Sequence, residues 1–354
     1  KKADAELLLS FMARDNVHAQ LETLGRGYRV IENNKNLAYS DTSRLSGLDV
    51  SLENGKMKLT GPLQPGEKEK LVIYIPGWNA NSHQLQNFDS PDVLLTKTQN
   101  YWNQIMADSM NINIPSKLLQ NVIKASQVHC MIAARNEEAG KTISPWISAD
   151  IYGPLESEAQ SIIRGMSLMG HEEFSRRSLD FFINRYNEDG LLTTGYTLWG
   201  IGWHLWTLGD YYMVHRNSDW LKSVADELTK ACDWIVSERE KTKRLALDGE
   251  KVMGYGLMPP GVFADWSRFA YMVRPQGEFC AGLVAMAQSF SDINYPGSEL
   301  YTKKAQEFQN ELSRAYLWSQ ARSPIIKLSN QAWIPYSPTI IGCFGPVGEM
   351  YPGE

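Results

Sequence analysis

The sequence predicts a mainly α fold, a two-layered helical toroid preceded by a small β portion, and three observations carry this reading. From Tyr101 onward, helix follows helix with no strand signal between them. The helices alternate between buried and amphipathic character, as an inner and an outer ring in turn demand. The connections alternate too, long before each candidate inner helix and very short after it.

Taken in order, residues 1–15 read as a short helix or loop around Ala5 to Met12. From about 20 to 76 the pattern changes to short strands. Tyr28–Ile31 is followed by a polar loop, Glu32–Asn36. Leu48–Leu52 and Met57–Thr60 alternate on either side of Asn54-Gly55, a strong hairpin signal. Lys70–Ile75 is a strand closed by Pro76, and residues 77–100 read as a linker. The expected division is therefore 1–95, the end of a β-sandwich with its linker, and 96–354, the helical toroid.

Helices are predicted at 101–109, 117–135, 156–169, 171–187, 197–214, 217–241, 276–291 and 298–319. Pro115 suits the start of the second, Asp189-Gly190 the end of the fourth, and Asn217-Ser218-Asp219 the cap of the sixth. Trp220, Val224, Leu228, Ala231 and Ile235 give 217–241 one apolar face among Lys, Asp and Glu, and 171–187 is likewise amphipathic. By contrast 156–169, 197–214 and 276–291 carry Gly, Ala and apolar residues on several sides. Within Gly195–Val214, Gly200, Gly202 and Gly209 each weaken a helix by roughly 1 kcal/mol relative to Ala. Glycines persist there when a neighbouring backbone or a ligand comes close.

The long loops 136–155, 188–196, 242–275 and 320–354 all fall at the N-terminal ends of the inner helices, whereas the turns near Gly170 and Arg216 are short. Function is expected at the long-loop end. Its aromatics include Trp146, Tyr152, Tyr196, Trp266, Tyr271, Trp333 and Tyr336.

Composition narrows the function classes. A net charge of −5 gives no basic surface for nucleic acid, and no stretch is apolar and long enough to span a bilayer. Cys130, Cys232, Cys280 and Cys343 lack C-x-x-C spacing and read as free thiols, and the six His lack metal-ligand spacing, so no metal or cofactor is implied. The 11 Trp and 16 Tyr suit a sugar-binding cleft, where ring faces stack on pyranoses, with aromatic core packing as the competing reading. The N-terminus lacks signal-peptide architecture, but a mature secreted chain would have lost one, and a secreted or periplasmic location is favoured over a cytoplasmic one.

The Tyr101-Trp102 start, the stretch Tyr152-Gly-Pro-Leu-Glu-Ser-Glu158, the Gly195–Tyr212 helix and the alternating hairpins resemble the six-hairpin glycosidase superfamily. These are (α/α)6 toroids that include glucoamylases, trehalases, rhamnosidases and disaccharide phosphorylases. The likeness spans residues 20–354 as architecture. It implies twelve helices where the chain supplies about eight, and hence the remainder of a longer polypeptide.

The same resemblance implies an oligosaccharide, polysaccharide or glycoside substrate, cleaved between two carboxyl groups. It places the acid in the loop before the seventh helix, where Gly261-Val-Phe-Ala-Asp265-Trp266-Ser267-Arg268 is similar to a trehalase pattern. Asp265 is the candidate acid, in apolar surroundings that suit proton donation; an ion pair with Arg268 competes. Glu156 is a further catalytic candidate, although a carboxylate in a first helical turn also stabilises the helix dipole by roughly 0.3–1 kcal/mol. Glu349, in Gly345–Tyr351, is the candidate second carboxylate, against a solvated loop. Asp150, Tyr152, Tyr196, Trp199, Trp203, Trp266, Arg274 and Glu278 are the candidate substrate contacts, with Glu278 expected to open the seventh helix. His204 is expected to fill a polar gap in its helix. Two other readings stay open: a polysaccharide lyase using a Tyr/His or Tyr/Arg pair on the same scaffold, and a non-catalytic glycan-binding protein.

Overall fold

A computed structural model describes residues 3–9, 20–42, 45, 47–53, 56–148, 152–192, 200–262 and 269–342. The chain divides into two compact units, 1–104 and 105–354.

The first unit holds strands β1 (Ala3–Leu9), β2 (Gln20–Leu24), β3 (Gly27–Glu32), β4 (Lys35–Asp41), β5 (Asp49–Glu53), β6 (Lys56–Leu63) and β7 (Val72–Tyr74). They form two antiparallel sheets, ordered β1-β6-β5 and β2-β3-β4-β7. Strands β5 and β6 pair as the alternation requires, with Glu53 opposite Lys56, while Asn54-Gly55 lies outside the described residues. Residues 3–9 correct the expected helix or loop: they pair along β6, Leu7 opposite Leu59. The Leu7-Leu8-Leu9 run has no period of its own, so the partner strand decides its conformation. The polar loop at 32–36 shrinks to a two-residue turn, Asn33 at φ 48° and Asn34 at φ 61°, and the chain is already extended at Lys35. Two consecutive positive φ values match the twist of a tight hairpin, and Asn tolerates them.

Two helices follow, α1 (Ser82–Gln86) and α2 (Pro91–Ala107), where a linker was expected at 77–100. Asn81 and Gln84 close a capping box on α1. The helix expected at 101–109 coincides with the last turns of α2, but its start at Pro91 escapes the sequence because none of its residues is buried.

The second unit begins with α3 (Lys117–Ala133) and a small hairpin of β8 (Arg135–Glu137) and β9 (Thr142–Ser144). Then come α4 (Glu158–Leu168), α5 (Glu172–Ile183), α6 (Gly200–His215), α7 (Ser218–Glu240), α8 (Val273–Asp292) and α9 (Ser298–Gln320), and a last hairpin of β10 (Ile325–Lys327) and β11 (Trp333–Pro335). Helices α4, α6 and α8 pack side by side in that order, each followed by its second-layer partner α5, α7 or α9. This is the alternation of a helical toroid, and one continuous apolar core runs between its layers. The turns inside each pair are tight and use left-handed residues: Gly170 at φ 88°, Arg216 at φ 55°, and Asn294 and Gly297 at 54° and 80°. The long connections fall before α6 and α8, as the loop lengths predict.

Helix α5 ends at Ile183, not at Asp189-Gly190. The chain then folds back, Tyr186 bridging Leu192, and the backbone of Lys230 would lie 2.3 Å from a Cβ at position 190. Gly190 therefore admits α7 to the loop and is not a helix cap.

The tightest contact in the unit joins α6 to α8. A Cβ on Gly202 would fall 2.7 Å from both N and Cα of Phe279, and one on Gly282 would fall 2.4 Å from the Gly202 carbonyl oxygen. About two turns further along α6, a Cβ on Gly209 would sit 2.5 Å from Ala285 Cβ. The glycines that cost α6 helix propensity let the two backbones touch.

The cap at the start of α7 is as the sequence requires, with the Asn217 side chain accepting from the Trp220 N–H at 3.1 Å. Asn217→Ala is expected to lower the unfolding free energy by about 1 kcal/mol in urea titration, with the denaturant slope unchanged.

Candidate functional site

The site residues that the structure describes gather where the long loops enter α4, α6 and α8. Glu156 lies two residues ahead of α4, not in its first turn, so the helix-dipole role does not account for it. It is 1% exposed, and a Cβ on Gly200 would stand 1.9 Å from its Cγ. The first residue of α6 is thus a glycine because the Glu156 side chain crosses it.

Helix α8 begins at Val273, three residues earlier than the sequence predicts, with Pro275 in its first turn. The Val273 N–H donates to the Thr339 carbonyl at 2.9 Å, and Met272 bridges Ile340, so a tertiary anchor fixes the start. Glu278 therefore lies in the second turn and does not open the helix, and the dipole reading is removed for it as well.

Arg274, one turn earlier, donates from Nε to Glu278 Oε1 at 2.9 Å. Its guanidinium carbon also stands 5.3 Å from the Trp203 ring centroid, within cation–π range. Trp203 follows Gly202 and Glu278 precedes Phe279, so the backbone contact between α6 and α8 brings indole, guanidinium and carboxylate together.

Glu278 is 7% exposed, and its Oε2 is buried with no hydrogen-bond partner among the described residues. Burial pushes this carboxyl up to about 6, against the opposing pull of Arg274. The group is held near the point of ionisation at neutral pH, where a carboxyl can both give and take a proton.

The loop that leads into α8 is pinned from several sides. Arg239, fully buried on α7, donates from Nε to the Gly256 carbonyl at 2.8 Å, and Thr242 Oγ1 donates to the Leu257 carbonyl at 2.7 Å. Gln276 grips Met258 twice, accepting its N–H at 2.8 Å and donating to its carbonyl at 2.9 Å. Gly261 and Ala270 exchange two backbone bonds of 3.0 Å. The tip between them, with Asp265 and Trp266, lies outside the described residues, as do Asp150, Tyr196, Trp199 and Glu349. Tyr152 is described and lies 59% exposed on the loop before α4.

Arg239 and Gln276 were not legible as positioning residues. Each sits among polar neighbours in the sequence, and nothing in the spacing marks either as buried.

His204 fills a polar gap, its Nδ1 3.3 Å from Gln160 Oε1, and full burial pushes its pKa down to about 3. Cys130, Cys232 and Cys280 are free thiols, and Cys343 lies outside the described residues. Among the described residues no group of three or more His, Cys, Asp or Glu could hold a metal, and no helix is long and apolar enough to cross a membrane.

The folded-state pKa of Glu278 is raised, so its contribution to stability is fully present below the ordinary carboxyl value of 4.5 and is lost as pH rises through about 6. Glu278→Gln keeps the acceptor for Arg274 and removes the ionisation. Unfolding free energies across that window are expected to converge for wild type and variant near pH 4 and to favour the variant by about 1–2 kcal/mol at pH 7.

No family model matches the chain, and no curated protein matches it. Among solved structures it is similar to a bacterial glucoamylase complexed with acarbose, with a TM-score of 0.52 and 12% identity over 90% of this chain and 51% of that one. A metal-independent alpha-mannosidase from Streptococcus pneumoniae, in a non-productive complex with alpha-1,6-mannobiose, gives a TM-score of 0.42 and 9% identity over 72% of this chain and 69% of that one. The chain spans about half the length of the glucoamylase. The likeness is one of fold: a mainly α helical toroid, preceded in the sequence by a β portion.

Proposed function

We propose that the chain belongs to a glycoside hydrolase that cleaves a glycosidic bond by carboxylate general acid/base catalysis, in a cleft at the N-terminal ends of α4, α6 and α8. The observation that carries this reading is the Trp203–Arg274–Glu278 cluster, with an indole, a guanidinium and a carboxyl of raised pKa meeting at the long-loop end. A pyranose presents C–H faces for the ring and hydroxyls for the charged groups. Asp265 is the proposed acid, on a loop whose stem is fixed by the Gly261–Ala270 pair. Glu156 and Glu349 are the proposed partners for the second carboxylate role. Asp150, Tyr152, Tyr196, Trp199 and Trp266 complete the proposed substrate contacts.

The glucoamylase fold supports the reaction class, and the acarbose bound to that protein supports an oligosaccharide-like substrate. A secreted or periplasmic location agrees with action on glycans. A lyase on the same scaffold would want a cation free to pair with a uronate, and the ion pair between Arg274 and Glu278 weighs against that role for Arg274.

A panel of aryl glycosides and oligosaccharides tests the reading with wild type, Asp265→Asn and Glu278→Gln. The expected outcome is wild-type hydrolysis of at least one substrate, with Asp265→Asn slower by about 10²–10⁴. Wild-type turnover that Asp265→Asn leaves unchanged would remove Asp265 from the acid role, and no turnover of any substrate would overturn the hydrolase reading.

A further inference from the structure

A pocket of about 120 Å³ opens between α7 and the loop that leads into α8, and among the described residues none of those proposed for the sugar cleft lines it. Its walls are mainly apolar and include Trp234, Phe279, Met258, Met272 and Pro260. Trp234 and Phe279 stand with ring centroids 6.2 Å apart, tilted by 40°, at its base.

Protein interiors close over voids of this size unless the walls cannot move. Here each wall is fixed separately. Pro259 and Pro260 have restricted φ, Gln276 holds both backbone groups of Met258, and Gly261 and Ala270 hold one another. Arg239 and Thr242 fix the two residues ahead of Met258. The pocket is therefore preformed, the state in which an apolar site binds without reorganisation.

The lining also restricts the chemistry of an occupant. Pro259, Pro260 and Pro275 have no N–H, Gly261 and Ala270 bond one another, and the Met258 N–H donates to Gln276 on α8, so beside the Trp234 indole N–H the lining offers few donors. The ionisable side chain in the lining is Glu238, an acceptor whose carboxylate pairs with Lys241. Flat apolar walls with an acceptor at the edge favour a ring that carries a donor and disfavour an anion.

We propose that this pocket is a second ligand site, separate from the sugar cleft, for a small aromatic ring bearing an amino or hydroxyl donor directed at Glu238. Because Gly261 and Ala270 form part of its wall, an occupant also presses on the stem of the loop that carries Asp265.

The two methionines supply the readout. In protein labelled with ¹³C-methyl methionine, the Met258 and Met272 resonances are assigned by Met→Leu exchange and followed while benzylamine or benzoate is added. Saturable ring-current shifts of both methyls are expected with benzylamine, with binding by benzoate roughly tenfold weaker or absent. Ala270→Phe, which fills the pocket from its wall, is expected to abolish the shifts; Val262→Phe, at a half-exposed position, serves the same purpose should the first variant fail to fold. No saturable shift with benzylamine, equal binding of benzoate, or shifts that survive pocket filling would each overturn the proposal. None of these readouts depends on glycoside turnover, so the second site stands or falls separately from the hydrolase reading.

Discussion

The helical unit depends on the backbone contact between α6 and α8. Gly202 admits the main chain of Phe279, Gly282 admits the carbonyl of Gly202, and Gly209 admits Ala285. Each glycine costs its helix about 1 kcal/mol in propensity, and the approach offsets this through dense packing over two long helices. Buried Leu205, Leu208, Leu283 and Met286 lie along the same two helices and supply the apolar area. A side chain at any of these three positions would push α8 outward, and with it Arg274 and Glu278.

The electrostatics of the site follow from that packing. Glu278 has a raised pKa because burial between the packed helices outweighs the opposing pull of Arg274. Glu156 is buried by the same geometry at Gly200. Backbone proximity thus buries both carboxyl groups at the mouth of the inner layer. The loop before α8 takes the opposite solution. There buried polar side chains, Arg239 and Gln276, hold the main chain by direct hydrogen bonds.

Much of this was legible in the sequence because it has a period. The amphipathic stripe of α7, the all-round apolar character of α6 and the long–short alternation of loops each follow from residue spacing alone, and together they specify a toroid. The pairing of β5 with β6 was legible for the same reason. What escaped lacks a local signature. Strand β1 depends on its partner β6, the first turns of α2 have no buried face, and the start of α8 depends on Thr339 and Ile340, more than sixty residues away. Within the site, the sequence selected Trp203, Arg274 and Glu278 separately by residue type, but not their union, which arises only from the Gly202–Phe279 approach. Asp265 rests on a loop motif whose stem, and not whose tip, the structure describes.

The most direct test of this dependence is the titration of Glu278 in Gly202→Ala, followed by side-chain carboxyl NMR beside the wild type. If the backbone contact is what keeps the carboxyl dry, an added methyl at 202 parts the helices, and the pKa falls from about 6 toward the ordinary glutamate range. A Glu278 titration unchanged in a folded Gly202→Ala protein would contradict the claim that the α6–α8 approach builds the site.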